Sequence, residues 1–499
     1  MRCPNCHKRI PDEVLFCPDC GVPVVMLATA VEVPGVPSGE PPAAVRGRRR
    51  GSVIWIALGL VGGLLVVALL LFLLLPRGGR LTGLTLFRAS QRGEVDQAGM
   101  PAYYPGESIP VLVRHQALGW GDRIQAHWYY EGCFGSELLE EVTREARADF
   151  SWLLPGTTEI SLQVAADEPL PIGSYRVEVQ RAPRPGEEET ARLEALFRVV
   201  PPPGAIPSQA SRTALAWLVD ADGRPLREAT VFAPYDVVYF SWQGDLGSYS
   251  RLETRWYYEG EPLPGTTTVS SSIRNLVDRT ITSFLASPVP LREGTYQVDS
   301  CLDGRREQAV FEVRAAVPRS GVLYDDFSNR LVWSTESDGD VQRAYLGERY
   351  GILVLTSGLV AWTPMGQRFR DVAIQVTTAQ VAGPEMNDYG VMCRLLDDDS
   401  FYSFSISGDG EYSIYKLQGD RWEALVPWTS TSAIRQGQAL NRISVLCRRG
   451  ELVLRVNGMP LARLEDDSFA DGDVAVFAGT RLEAGAHVLF DDLEVVPLR

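Results

Sequence analysis

The chain reads as mainly β with one membrane crossing, and three observations carry that reading. Gly (46) and Pro (33) interrupt runs of Ser, Thr, Val and Tyr, the pattern of short strands joined by tight turns. A Trp-centred strand, RIQAHWYYEG at Arg123 to Gly132, returns 128 residues later as RLETRWYYEG at Arg251 to Gly260. From Val53 to Leu75, 23 residues carry no charge and no strong hydrogen-bonding side chain. At 499 residues the chain needs three or four cores, at roughly 100 to 200 residues per domain. Glu137 to Ala148 is the best candidate for an amphipathic helix.

The net charge of −15 is uneven: Met1 to Arg80 holds nine Lys/Arg against five Asp/Glu, leaving −19 on the remainder. An acidic surface disfavours nucleic acid, whose affinity rests on cationic contacts with phosphate.

Cys3-Pro-Asn-Cys6 and Cys17-Pro-Asp-Cys20 place two CxxC knuckles ten residues apart. Four thiolates close a tetrahedral Zn²⁺ site with no position for a catalytic water, and residues 1–27 are too few to fold without it. The Pro after each first Cys and Gly21 after the last make this stretch resemble the zinc-ribbon family found at the N-termini of many bacterial membrane proteins. His7 is read as a bystander, and docking to a cytoplasmic protein as the ribbon's role. Residues 28–52 form a Pro-rich spacer ending in Arg46, Arg48, Arg49 and Arg50.

As a helix, residues 53–75 would span about 34 Å, enough for a lipid bilayer's hydrocarbon core. The four arginines before it, against Arg77 and Arg80 after it, orient the N-terminus to the cytoplasm and residues 81–499 to the outside of the plasma membrane.

GSYRVEV (Gly173 to Val179) answers GTYQVDS (Gly294 to Ser300), and LFRVV (Leu196 to Val200) answers VFEVR (Val310 to Arg314). Residues 81–200 and 212–315 therefore read as duplicated β-sandwiches, resembling immunoglobulin-like or fibronectin-like domains, with Trp128 and Trp256 between the sheets. Pro201 to Pro203, in the linker 201–211, is expected to act as a stiff hinge.

Residues 322–499 alternate regularly in strands of five to seven residues, from YDDFSN through NRISVLCRRGELVLRVNG to VLFDDLEV. This order looks like the concanavalin A-like jelly-roll sandwiches, in particular the laminarinase-like and keto-disaccharide hydrolase-like branch. The resemblance implies a lectin-like or glucanase-like fold. The Glu-x-Asp-x-x-Glu triplet of the glucanases is absent, Glu411 looks isolated, and His7, His115, His127 and His487 show no metal or triad spacing.

Tyr402, Phe404 and Ile406 share one strand face and are expected in the core; Phe401, Tyr415, Lys416 and Trp428 are the candidate ligand contacts. Asp325 and Asp326 on the first strand and Asp491 and Asp492 on the last are a candidate Ca²⁺ site, because the end strands should pair. Cys393 and Cys447 are a candidate disulfide, whereas Cys133 and Cys301, in non-equivalent positions of the two repeats, are expected as free buried thiols. The chain thus reads as a non-catalytic, membrane-anchored surface protein recognising a polysaccharide or a surface protein. A glycoside hydrolase with an unrecognised site and a structural stalk are the alternatives.

Overall fold

The computed structural model describes residues 80–87, 100–116, 118, 122–145, 156–164, 168–183, 191–315 and 317–498. The ribbon cysteines Cys3, Cys6, Cys17 and Cys20, the spacer and residues 53–75 lie outside them. Every regular element among the described residues is a strand, and none of those residues forms a helix long and apolar enough to cross a membrane. Glu137 to Glu145, expected to be helical, belong to an edge strand; Leu139 and Val142 pack on the core beside the Trp128 strand, and cross-strand pairing overrides the helical spacing.

The first repeat contains β1 (Arg80–Leu86), β2 (Ala102–Tyr103), β3 (Ile109–Gln116), β4 (Arg123–Gly132), β5 (Gly135–Glu145), β6 (Gly156–Leu162), β7 (Gly173–Arg181) and β8 (Leu193–Val199). The second contains β9 (Gln209–Val219), β10 (Pro225–Glu228), β11 (Val231–Phe232), β12 (Val238–Leu246), β13 (Arg251–Tyr258), β14 (Glu261–Pro262), β15 (Thr268–Ser271), β16 (Leu276–Leu285), β17 (Gly294–Leu302) and β18 (Arg305–Val313). Their pairing matches strand for strand. One sheet runs β2-β8-β7-β4-β5 in the first and β11-β18-β17-β13-β14 in the second, each with a parallel pair at one end; the other runs β1-β3-β6 and β9-β12-β16, with β10 added.

The aromatic cores repeat as well. Trp128 meets Phe197 edge-on at 6.0 Å while Phe197 stacks on Tyr175; Trp256 meets Phe311 at 6.0 Å while Phe311 stacks on Tyr296. The Tyr175 and Tyr296 hydroxyls each donate to the carbonyl four residues upstream, Pro171 and Arg292. Both tryptophans are fully buried, so they fill space between sheets and are closed to ligands.

The junction between repeats is clamped. Cys133 and Cys301 form a disulfide, with Cα atoms 6.1 Å apart, which corrects the expectation of free thiols. The reason is geometric: copies stacked head to tail touch through different patches, so a bond between them must join non-equivalent positions. Beside it Arg251 covers the Tyr130 ring and pairs with Glu137 at 2.6 Å and Glu253 at 2.8 Å, and Ile172 N–H donates to the Tyr249 carbonyl. Asn275, between β15 and β16, fastens the linker just after Pro201 to Pro203: it accepts from Ile206 N–H and donates to the Gly204 carbonyl.

The terminal sandwich contains β19 (Leu323–Asp325), β20 (Val341–Tyr345), β21 (Tyr350–Val354), β22 (Val360–Phe369), β23 (Val372–Ala382), β24 (Asp388–Asp397), β25 (Ser400–Ser407), β26 (Glu411–Gln418), β27 (Arg421–Ser430), β28 (Asn441–Arg448), β29 (Glu451–Val456), β30 (Met459–Glu465), β31 (Gly472–Gly479) and β32 (Ala486–Pro497). A back sheet, β20-β21-β32-β23-β28-β29-β30 with β19 on β32, faces a front sheet, β22-β31-β24-β25-β26-β27. Tyr402, Phe404 and Ile406 enter the shared core with Val376, Val445 and Phe490. Cys393 and Cys447 are bonded, their Cα atoms 6.9 Å apart.

The back sheet is buried on both faces. Ala373, Leu446, Val453 and Val496, on its far side, join the apolar core of the second repeat, which explains why β23 is buried on both faces from Val372 to Gln380. Arg319, in the short connection, pairs with Asp236 of the repeat and Glu494 of β32 while lying over Trp217 at 4.1 Å. Arg442 also donates to Glu494 at 2.9 Å, and Arg455 to the Asp220 carbonyl at 2.7 Å.

Candidate binding groove

With the back sheet covered, the front sheet keeps the terminal sandwich's free outer face. Alternation decides what stands there. On β25, Phe401, Ser403 and Ser405 point away from the core; on β26, Ser413, Tyr415 and Leu417 do; on β24, Asp388 and Met392; on β31, Phe477. Small side chains in the middle strands and large ones at the flanks make a groove of about 240 Å³, its floor including Ser403 and Ser405 and its walls Phe477, Tyr415, Trp422 and Trp428.

Arg481, just after β31, lays its guanidinium over the Trp428 ring at 3.4 Å. Its Nη1 stands 3.6 Å from Glu411 Oε2, and its Nε and Nη2 are buried without a hydrogen-bond partner. Ser413 Oγ is likewise buried and unpartnered. Burial lifts the Asp388 carboxyl above its ordinary value, and Arg481 opposes that rise. The β24–β31 register sets Asp388 opposite Gly479, where the carboxylate lies close enough that a Cβ on the glycine would meet Oδ1 at 2.8 Å. The groove therefore offers aromatic faces, hydroxyls, a carboxyl and a guanidinium in its wall, the mixture that binds a ligand with both apolar and polar faces.

The sequence candidates divide. Trp428 and Tyr415 stand in the groove. Phe401 faces the same side but is fully buried among Trp362, Trp422 and Met392, beneath the ligand-accessible layer. Lys416 points to the other face, where its ammonium bonds Asp466 at 2.9 Å and Glu423 at 3.1 Å; those partners hold its pKa up, and hydrogen bonds from Lys416, Ser468 and Tyr402 outweigh burial to hold the Asp466 carboxyl well below the usual range. Glu411, which looked isolated, sits beside Arg481. Asp388 and Arg481 were missed, since nothing local marks either one and only strand pairing brings them together.

The end strands β19 and β32 do pair, with Asp325 opposite Leu493. The oxygens of the four aspartates are already engaged. Asp325 accepts from Trp333 Nε1 and Phe327 N–H, Asp326 from Ser328 N–H, Asp491 from Arg349, and Asp492 from the Tyr324 hydroxyl. No group of three or more His, Cys, Asp or Glu among the described residues could hold a metal ion.

Neither a protein-family model nor a curated protein matches the sequence. Solved structures similar to it include a carbohydrate-binding module from Bacillus subtilis (12% identity, TM-score 0.27, 32% of this chain and 93% of that one). A protein of unknown function with a galectin-like fold from Bacillus subtilis matches at 12% identity and TM-score 0.28, covering 35% of this chain and 94% of that one. A β-glucanase from Bacillus licheniformis matches at 8% identity and TM-score 0.29, covering 36% of this chain and 100% of that one. All three TM-scores lie below 0.5, and the chemistry of the groove rests on its own residues.

Proposed function

We propose that the chain is a glycan-binding protein whose ligand lies in the front-sheet groove. The observation that carries this is Arg481, stacked on Trp428 and set against Asp388 in an otherwise aromatic and hydroxyl-lined cleft. A sugar ring has apolar C–H faces that cover an aromatic ring and hydroxyls that both accept and donate, so it fits Trp428, Tyr415, Arg481 and Asp388 together. Glu411 and Asp388 flank the one arginine, and the chain carries −15. That balance favours a neutral glycan over an acidic one.

In this reading residues 53–75 anchor the chain in the bilayer, and Cys3, Cys6, Cys17 and Cys20 hold a structural Zn²⁺ on the cytoplasmic side, where the ribbon engages a protein partner. The support for both is the sequence: an uncharged run long enough to span, the arginine asymmetry around it, and the CxxC spacing.

The test is affinity electrophoresis of the full chain in neutral detergent through gels containing neutral or acidic polysaccharides. Retardation by a neutral glycan that Trp428→Ala and Arg481→Gln abolish supports the proposal, provided both variants keep the parent melting temperature. Unretarded migration in every neutral gel sinks it.

One observation favours a hydrolytic second reading. Asp388 and Glu411 stand on β24 and β26, two strands and roughly 10 Å of backbone apart. The raised Asp388 carboxyl is the kind of acid that protonates a leaving-group oxygen, with Glu411 as the partner base. Release of reducing ends from the retained glycan, lost in Asp388→Asn, would make the chain a glycosidase.

A further inference from the structure

A second pocket, of about 630 Å³, opens at the end of the terminal sandwich where Cys393 and Cys447 are joined, and three arginines from three chain segments line it: Arg370 between β22 and β23, Arg394 in β24 and Arg449 between β28 and β29. We propose that this pocket binds a tetrahedral oxyanion, a phosphate or sulfate group.

Arg394 is buried to 2% exposure, yet its Nε has no hydrogen-bond partner. Its Nη1 donates to the Phe469 carbonyl at 2.5 Å and its Nη2 stands 3.8 Å from Asp371, which hold the guanidinium against the pocket wall. Asp371 also accepts from the Arg449 backbone N–H at 2.9 Å, so one carboxylate positions both segments. Two carboxylates in the lining, Asp371 and Asp467, leave the pocket with an excess of positive charge in an outer part that is otherwise strongly acidic.

The backbone carries a second argument. Arg449-Gly450 turns β28 into β29 with φ of 50° and 84°, and Asn457-Gly458 turns β29 into β30 with φ of 52° and 87°. The two turns have the same left-handed geometry, which favours Asn in the first position; one turn uses it and the other holds arginine instead. Arg394 is also left-handed, at φ 51°, in a bulge of β24 that Gly472 packs against so closely that a Cβ there would meet its carbonyl carbon at 2.3 Å. Two arginines thus occupy costly backbone positions and both line the same pocket. A planar carboxylate is satisfied by a single guanidinium fork, whereas phosphate and sulfate oxygens accept from several directions, as three separately anchored arginines require.

The experiment is calorimetric titration of the full chain in neutral detergent and chloride buffer with sulfate, phosphate, methyl sulfate and dimethyl phosphate. Saturable binding of sulfate or phosphate is expected. Arg449→Asn should keep the melting temperature, because Asn suits the turn, and weaken the anion about tenfold; Arg370→Gln should weaken it less, and Trp428→Ala not at all. Binding of the esters as tightly as of the free anions would identify an esterified ligand, and binding of the free anions alone a small inorganic one; either supports the site. No saturable heat with the folded chain, or an affinity unchanged by both Arg449→Asn and Arg370→Gln, overturns it. The neutral-glycan groove stands or falls separately, through Trp428→Ala.

Discussion

The two outer faces of the terminal sandwich begin from the same strand alternation and end with opposite fates. The back face presents Ala373, Leu446, Val453 and Val496 and is buried on the second repeat, with Arg319, Arg442 and Glu494 bonded into the seam. The front face also gathers apolar residues, Met392, Phe401, Leu417 and Phe477, yet it stays open, and polar groups without partners lie beside its aromatics. Unpartnered buried nitrogens occur on both sides, Arg319 Nε and Arg442 Nε in the seam and Arg481 Nε and Nη2 on the front, so what separates the two faces is that the front carries its aromatics on an uncovered groove. A ligand is therefore expected on the front face, and substitutions on each face test that difference.

The largest effect belongs to the seam. Arg319→Ala should cost about 3 to 5 kcal/mol, since it leaves Asp236 and Glu494 buried with one cation fewer. Urea denaturation of the full chain measures this, and a loss below about 1 kcal/mol would show that the seam is incidental. Leu446→Ala, on the same face at 4% exposure, should cost about 2 to 4 kcal/mol. On the front face Trp428→Ala should change stability by less than about 1 kcal/mol while abolishing glycan retention, because the half-buried ring packs chiefly on Arg481. A drop as large as that of Leu446→Ala would mean that the groove is merely a weakly covered core.

The smallest effect is a pH dependence beside the seam. Burial and the neighbouring Asp492 push the Asp491 carboxyl from 3.8 up to about 6. A raised folded value means that the native state holds the proton more tightly. Its contribution is therefore complete below about 3.8 and is lost as pH rises through about 6. Discounted for solvent screening, that is about 1 kcal/mol. Asp491→Asn should remove this fall in denaturation measured at pH 4.5 and 7.5; an unchanged difference would assign the pH dependence elsewhere.

Much of the fold was legible because β alternation is local. The RIQAHWYYEG and RLETRWYYEG pair announced two like sandwiches, and Tyr402, Phe404 and Ile406 declared their face by period two. What was not legible depends on contacts between distant segments. Cys133 and Cys301, 168 residues apart, meet only because the repeats stack head to tail. Lys416, a candidate ligand contact from sequence, is instead taken up by Asp466, from just beyond β30. Within the groove, Trp428 could be nominated as an aromatic on a polar strand, but Arg481 and Asp388 acquire meaning only through the β24–β31 register. Alternation also placed Phe401 on the right side of its strand while saying nothing of depth, since a second apolar layer grows over it.

The most direct test of the front face is amide hydrogen exchange on the full chain in neutral detergent, with and without a panel of neutral hexasaccharides: cellohexaose, laminarihexaose and chitohexaose. The account predicts that at least one sugar slows exchange in β24 to β27 and around Arg481, leaving the second repeat and the back sheet unchanged. Protection confined to the back sheet or the repeats, or none with any sugar, would contradict it.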